Sequence, residues 1–148
     1  MLRLALYQPD IPQNAGAMIR LAACLGAAVE IVEPCGFVLD DQRLRRVHMD
    51  YLQHVKISRH ADLAALRAAH PGARHLLLAP QAETSLWDFA FRADDLLILG
   101  PESFSTLPEL IEYADGALRI PMQPGVRSLN VAAAAAIALG EARRQWPL

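Results

Sequence analysis

Three polar loops follow apolar, strand-like runs, and their residues are the ones best suited to hold a ligand. The first loop reads YQPDIPQNAG over residues 7–16, the second GPESFSTLP over 100–108 and the third PMQPGVRSLN over 121–130. In open α/β sheets, ligands bind beyond the carboxyl ends of the strands. If the strands before these loops are parallel, all three loops can meet at one edge of the sheet and form one site.

The chain lacks the short motifs of the commonest nucleotide and metal sites. It contains neither GxGxxG nor the Walker A pattern, which excludes an ordinary dinucleotide site and a P-loop. HExxH and CxxC are also absent, and Cys24 and Cys35 stand without metal-ligand spacing. We therefore expect no bound metal, and we expect both cysteines to be reduced thiols in the core.

Composition indicates one globular domain over residues 1–148. The chain is 53% apolar and 20% charged, with a net charge of −2. No run reaches the roughly 18 apolar residues of a membrane helix, and the stretch MLRLALYQPD turns polar too early for a signal peptide. The expected location is the cytoplasm. The acidic total disfavours bulk attraction to nucleic acid but is compatible with a local basic patch.

Apolar runs that predict strands alternate with segments that predict helices. The runs RHLLLAP (74–80) and DDLLILG (94–100) are almost continuously apolar, which is typical of strands covered on both faces. This alternation predicts an α/β fold with a mostly parallel sheet flanked by helices. The expected strands are 2–8, 28–34, 55–58, 74–80, 94–100 and 117–121, and the expected helices are 14–26, 40–54, 61–70, 107–113 and 128–146.

The ends of the first and last helices carry capping signals. Asn14 is expected to be the N-cap of the first helix, and Gly26 is expected to end it. Ser128 and Asn130 stand where the last helix begins, and either could cap it. That helix contains five consecutive alanines at 132–136, so it is unusually thin.

Together these motifs resemble the SPOUT superfamily of RNA methyltransferases, in its ribose 2′-O branch. The signal combines Asn-x-Gly-x-x-x-Arg from Asn14 to Arg20, Ile-Pro-Met at 120–122 and Arg-Ser-Leu-Asn at 127–130. The likeness is closest to the small bacterial enzymes that methylate the wobble nucleotide of tRNA, and it covers nearly the whole chain. It implies S-adenosylmethionine as cofactor, tRNA as substrate and no metal.

The resemblance also implies a fold and an assembly. The family's C-terminal segment threads through a preceding loop to make a trefoil knot, a rare exception to the rule against threaded chains. The family is typically a homodimer through the knot region. The alanine run then has a physical explanation. The last helix would pass close to its neighbours and to a second subunit, and alanine permits this close backbone approach while keeping the best helix propensity. The alternative is an alanine-rich buried helix with no such role.

Residue by residue, the resemblance assigns two overlapping sets of site residues. The adenosyl group is expected against the backbone of residues that need not be polar, because the family holds its bent cofactor mostly by main-chain hydrogen bonds. The expected cofactor-binding residues are Ala79, Gly100, Glu102, Ile120, Met122, Ser128 and Leu129. The expected catalytic residues are Arg20, Asn14, Glu102, Ser128 and Asn130.

The implied reaction transfers an activated methyl group to a ribose 2′-hydroxyl, which needs alignment, proton removal and shielding from water. By the resemblance, Arg20 acts on that hydroxyl. A guanidinium with a pKa above about 12 is a poor general base. We expect Arg20 to fix an RNA phosphate and polarise the hydroxyl while the phosphate helps to accept the proton. The alternative is an ordinary surface charge on a helix.

RNA contact requires cations, and the run RLRRVH supplies several of them. We expect Arg43, Arg45 and Arg46 to bind RNA phosphates together with Arg127 in the third loop. A solvated helix face is the alternative meaning of such a run.

The second loop departs from the family pattern. Relatives usually read Gly-x-Glu-x-x-Gly-Leu-Pro, whereas GPESFSTLP has one residue more and lacks the second glycine. Glycine allows a positive φ that Ser105 or Thr106 adopts less readily, so we expect a locally rebuilt loop. Two other functions therefore stay open: 2′-O-methylation of another tRNA or rRNA site, and a non-catalytic RNA-binding protein of the same fold.

Overall fold

A parallel sheet of seven strands forms the centre of the part of the chain that the structure, a computed structural model, describes: residues 1–38, 51–103 and 107–148. The strands are β1 (Arg3–Tyr7), β2 (Ala28–Val32), β3 (Ile57–His60), β4 (His75–Leu78), β5 (Thr84–Ser85), β6 (Leu96–Leu99) and β7 (Gly116–Arg119). The helices are α1 (Pro12–Cys24), α2 (Leu63–Ala69), α3 (Pro108–Tyr113) and α4 (Val131–Gln145), with a 3₁₀ turn at Leu86–Asp88.

The strand order is β3-β2-β1-β6-β4-β7-β5, and every pairing between these strands is parallel. The predicted α/β class with a parallel sheet flanked by helices is therefore confirmed. Because β1, β6, β4 and β7 are neighbours, the loops that follow them leave the same edge of the sheet side by side. The order thus brings the three polar loops together.

Alternating side chains of the strands divide the core between the two faces of the sheet. On β6, Leu97 and Leu99 belong to the apolar cluster that includes the buried side chains of α1 and α4. Leu96 and Ile98 belong to the opposite cluster, with Leu66 of α2 and Leu110 of α3. Burial on both faces explains why this strand is continuously apolar. The alanines of α4 reach the core directly, since Ala135, Ala138 and Ala142 are fully buried.

The first helix begins earlier than predicted. Pro12 occupies its first turn and Ile11 is the N-cap residue, without a side-chain hydrogen bond. Proline suits the first helical position because its φ is already helical and its missing N–H would have no partner there. The prediction that Asn14 caps this helix was therefore wrong. Gly26 does end the helix, with a φ of 62°.

Several other boundaries and placements differ from the predictions. β3 lies two residues later than the predicted 55–58, and β5 with its 3₁₀ turn was not predicted, because two residues are too few for a periodic signal. Cys24 and Cys35 are free thiols, but Cys24 is exposed at the end of α1 and is not in the core.

Two predictions are not decided by this structure. The predicted helix 40–54 lies mostly outside the described residues, and the knot stays a prediction. None of the helices within 1–38, 51–103 and 107–148 is both long and apolar enough to cross a membrane.

The end of α1 is fastened to α4 by Arg143. Its Nε donates to the carbonyl oxygen of Leu25 at 2.6 Å, and its Nη2 donates to that of Gly26 at 2.5 Å. The last carbonyls of a helix have no partner within the helix, so this cation satisfies two acceptors at the favourable, negative end of the dipole.

Replacing Gly26 by alanine should lower the free energy of unfolding by about 1 kcal/mol or more, because a left-handed φ disfavours a residue with a Cβ. The new Cβ would also lie 2.5 Å from Leu148 Cδ2 and 3.3 Å from Arg143 Nη2. Urea denaturation measures the change. Gly72→Ala is the control, since nothing lies within 4 Å of a Cβ there. Equal losses in the two variants would contradict this account.

Candidate active site

A cavity of about 670 Å³ opens at the carboxyl ends of β4, β6 and β7. Its volume falls in the range of sites for cofactors and drug-sized ligands, roughly 300–1,000 Å³. Its wall includes apolar side chains from strand ends and from the first turn of α4, among them Leu78, Leu99, Val131 and Ala134. The residues predicted to bind cofactor all line it: Ala79, Gly100, Glu102, Ile120, Met122, Ser128 and Leu129.

The three polar loops meet at a carboxylate. Asn14 Nδ2, from α1, donates to Glu102 Oε2 in the loop after β6. Asn130 Nδ2, from the residue before α4, donates to Asn14 Oδ1 at 3.0 Å and lies 3.4 Å from Glu102 Oε1. Asn14 thus contacts Glu102, which lies 88 positions further along the chain, and Asn130, which lies 116 positions further along. We refer to Asn14, Glu102 and Asn130 as the amide–carboxylate cluster.

Asn130 has two functions in this arrangement. Its Oδ1 accepts hydrogen bonds from the backbone N–H groups of Ala132 at 2.9 Å and Ala133 at 3.1 Å, so it is the N-cap of α4. Because the oxygen is used for the cap, the amide nitrogen faces Asn14 and Glu102. Of the two residues that could cap this helix, Asn130 does so. Ser128, two residues earlier, is exposed and lines the cavity instead.

Asp10 fixes the loop that carries Glu102. Its Oδ1 accepts from the backbone N–H of Glu102 at 3.1 Å, and its Oδ2 accepts from the N–H of Ser103 at 3.1 Å and from the Ser103 hydroxyl. Burial raises the pKa of Asp10, but these hydrogen bonds outweigh it, so the pKa lies below its ordinary value. Asp10 lies in the first polar loop but was not among the predicted site residues.

A second contact beside the cavity joins β1 to α3. The hydroxyl of Tyr7 donates to Glu109 Oε1 at 2.8 Å. Burial, this hydrogen bond and the carboxylate's charge raise the pKa of Tyr7 to about 12. The phenol is therefore protonated at neutral pH and is a hydrogen-bond donor there, not a base.

Arg20 lies outside the set of residues that line the cavity. It is exposed on α1, and its guanidinium carbon stacks over the Tyr51 ring, 4.6 Å from the ring centre. A cation over an aromatic face is stabilised by the ring quadrupole, by about 0.5–1 kcal/mol at exposed sites. The contact holds the guanidinium beside the surface while leaving it accessible.

The predicted RNA-binding residues divide into two groups. Arg43, Arg45 and Arg46 lie outside the described residues, and so do residues 104–106 of the altered loop. Arg127 is described: it is exposed and lines the cavity. It places a positive charge in the third loop, one residue before Ser128.

The chain belongs to a known protein family. Residues 1–140 match the SpoU rRNA Methylase family, and the chain is a member of it. A protein of Beijerinckia indica subsp. indica named tRNA (cytidine(34)-2′-O)-methyltransferase is 52% identical over 145 residues, 96% of this chain and 90% of that protein. A protein of the same name from Escherichia coli K12 is 36% identical over 147 residues, 98% of this chain and 94% of that protein.

Solved structures give the same fold. A structure concerned with the 2-OH methylation of C/U34 on tRNA has a TM-score of 0.89 and 44% identity, over 99% of this chain and 96% of that chain. The SpoU methyltransferase AviRb from Streptomyces viridochromogenes, in complex with the cofactor AdoMet, has a TM-score of 0.83 and 27% identity, over 99% of this chain and 58% of that chain.

The cavity of this chain fits S-adenosylmethionine. Its apolar wall suits a nucleoside, and Gly100 and Ile120 line it directly after the ends of β6 and β7. The Glu102 carboxylate gives the cavity a negative charge that complements a sulfonium or ammonium group. No motif for a nucleotide loop is needed, because the cavity is lined by the segments that follow β4, β6 and β7.

Asp10→Ala should speed amide hydrogen exchange at Glu102 and Ser103, because their N–H groups lose the acceptor that holds them. Exchange measured on overlapping peptides that contain residues 101–103 checks this. Asp88→Ala, which removes an exposed carboxylate on the 3₁₀ turn, is the control. Unchanged exchange in Asp10→Ala would show that the loop is held by other contacts.

The same hydrogen bonds predict a pH dependence. Because the folded state lowers the pKa of Asp10, the charged form stabilises the loop above the ordinary Asp pKa of about 3.9, and this contribution is lost as pH falls through the lower folded-state pKa. In Asp10→Asn this acid-dependent part of the unfolding free energy should be missing.

Proposed function

We propose that this protein transfers a methyl group from S-adenosylmethionine to the ribose 2′-hydroxyl of the wobble nucleotide, cytidine or uridine 34, of tRNA. The observation that carries the proposal is the amide–carboxylate cluster at the edge of a cavity lined by every residue assigned to the cofactor. Relatives that share 36–52% of its residues over nearly the full length are named tRNA (cytidine(34)-2′-O)-methyltransferase. The substrate assignment rests on these relatives.

The chain's own residues prepare the site. S-adenosylmethionine, when bound, supplies a methyl group already activated on a sulfonium. Its adenosyl part would lie against the backbone of five residues that exclude water from it, namely Ala79, Gly100, Ile120, Met122 and Leu129. Asn14 and Asn130 hold the Glu102 carboxylate in one orientation, so the site needs little reorganisation before reaction.

We assign Arg20 to binding of the RNA substrate. In our proposal its guanidinium binds a phosphate next to the target ribose and donates to the 2′-oxygen, which aligns that oxygen with the methyl carbon. Arg20 would stabilise the 2′-oxygen as its proton passes to the phosphate or to water, and S-adenosylmethionine, when bound, would supply the methyl group that this oxygen accepts. Ser128 and Arg127, exposed beside the cavity, contact the same nucleotide.

The active unit is a homodimer in this proposal. Arg20 is exposed and lies outside the cavity-lining set of its own chain, which favours a site in which one subunit's Arg20 serves the cavity of its partner. A dimer would also double the number of positive charges that Arg43, Arg45, Arg46 and Arg127 bring to the RNA. Since the substrate is tRNA, the reaction takes place in the cytoplasm.

The activity is tested with purified protein, labelled S-adenosylmethionine and bulk tRNA, followed by nucleoside analysis. We expect label in 2′-O-methylcytidine or 2′-O-methyluridine at position 34, and Arg20→Ala should lower the rate by about 100-fold or more. Its affinity for S-adenosylhomocysteine, measured by calorimetry, should change little. Arg92→Ala is the matched control, because this exposed arginine lies at the amino end of β6, away from the cavity.

The outcomes separate the alternatives. If ribosomal RNA or another tRNA position were labelled and position 34 were not, the proposed target nucleotide would be wrong but the proposed 2′-O-methylation would stand. Absence of S-adenosylhomocysteine binding at about millimolar ligand would favour a non-catalytic RNA-binding protein. Loss of cofactor binding in Arg20→Ala would contradict the role given to Arg20.

Mixing two inactive variants tests whether the site is shared between subunits. Arg20→Ala keeps an intact cavity and Asn130→Ala keeps an intact arginine. If Arg20 acts on the partner's cavity, random exchange of subunits restores one competent site in half of the dimers, or about a quarter of the wild-type activity. If Arg20 acts within its own chain, the mixture stays inactive. A monomer in sedimentation at assay concentration would contradict the dimer itself.

A further inference from the structure

Two histidines and a glutamate converge far from the cavity, in the half of the sheet formed by β2 and β3. Glu30 lies in the middle of β2, His60 ends β3 and His70 follows α2. Glu30 Oε2 is 2.7 Å from His60 Nε2, and Glu30 Oε1 is 3.0 Å from His70 Nε2. One ligand atom from each residue lies within 4.8 Å of the other two.

The cluster is withdrawn from solvent. The Glu30 side chain is 1% exposed, His60 9% and His70 16%. A buried carboxylate requires compensating partners, since desolvation of a lone charge is costly. His60 supplies one such partner through a well-formed hydrogen bond. Within the described residues, His70 Nε2 is buried and has no hydrogen-bond partner.

His70 Nε2 has no hydrogen bond although the carboxylate oxygen of Glu30 is near it. A hydrogen bond requires the N–H to point at the oxygen, and the 3.0 Å approach of His70 Nε2 to Glu30 Oε1 does not meet that geometry. A nitrogen in this position can direct its lone pair at a metal ion, and the same ion would replace the hydrogen bond between His60 and Glu30. Ligand atoms at about 2.0–2.1 Å in a tetrahedron lie roughly 3.3 Å apart.

We propose that Glu30, His60 and His70 form a Zn²⁺-binding site. Two imidazole nitrogens and one carboxylate oxygen are a donor set typical of zinc and unlike the all-oxygen sets of Ca²⁺ or Mg²⁺. A water molecule completes the tetrahedron. The ion links β2, β3 and the end of α2, and none of its ligands lines the cavity, so the proposal does not depend on the proposed function.

Arg3 opposes the ion and limits its affinity. Its Nε lies 3.7 Å from Glu30 Oε1, while its Nη1 donates to the carbonyl oxygen of Met1 at 2.9 Å. A guanidinium so close to the carboxylate repels a second cation. Replacing it by a neutral side chain should therefore tighten binding, which a simple ion pair among these residues does not predict.

Calorimetric titration with Zn²⁺ of the full chain, first freed of metal by a chelator, tests the site. We expect one ion per chain and a rise in melting temperature on loading. His70→Ala should weaken binding by about ten-fold or more, while His54→Ala, at an exposed histidine elsewhere, should leave it unchanged. Arg3→Gln should strengthen it.

Anomalous scattering at the zinc edge from wild-type crystals soaked in Zn²⁺ keeps the test independent of how the variants fold. A peak between the three side chains supports the site. The proposal is overturned if the wild type shows no saturable binding below a Kd of about 100 µM, if His70→Ala binds as the wild type does, or if the peak lies elsewhere.

Discussion

The active-site region depends on one interaction: two amide groups from distant loops hold the carboxylate of Glu102. Asn14 comes from the start of α1 and Asn130 from the start of α4, and both are fixed by helices that pack on the same face of the sheet. Asp10 holds the backbone of the same loop from below through the N–H groups of Glu102 and Ser103. Without these bonds, the loop after β6 would be free to leave the cavity edge.

The sheet makes this convergence possible. A parallel strand order of β1-β6-β4-β7 places three loop origins side by side, although they are about 90 and 20 residues apart along the chain. The close approach of α1 and α4 then requires small side chains between them. Ala22 on α1 and Ala135, Ala138 and Ala142 on α4 are fully buried in the same cluster. The alanine-rich helix is thus explained within one chain by packing, and its alanines also form part of the cavity wall, as Ala134 does.

Much of the fold and most of the cavity were predictable from sequence, for identifiable reasons. Strands buried on both faces leave an unmistakable apolar run, as at 94–100, and polar loops after parallel strands must share an edge. Asp10 was missed because its role depends on two backbone N–H groups more than 90 positions away. Asn14 was misread as a cap because proline at the first turn makes a side-chain cap unnecessary. Glu30, His60 and His70 escaped notice because no motif joins residues on β2, β3 and the turn after α2.

The geometry of α1 explains why Asn14 and Arg20 cannot serve the reaction in the same way. Six residues of helix advance about 9 Å and turn through about 240° beyond a full revolution, so the two side chains leave the helix on different faces. Asn14 accordingly reaches Glu102, whereas Arg20 faces solvent and stacks on Tyr51. The Asn-x-Gly-x-x-x-Arg motif therefore places Asn14 and Arg20 on one helix but on different faces of it. One face holds Glu102 at the edge of the cavity, and the other presents an exposed cation.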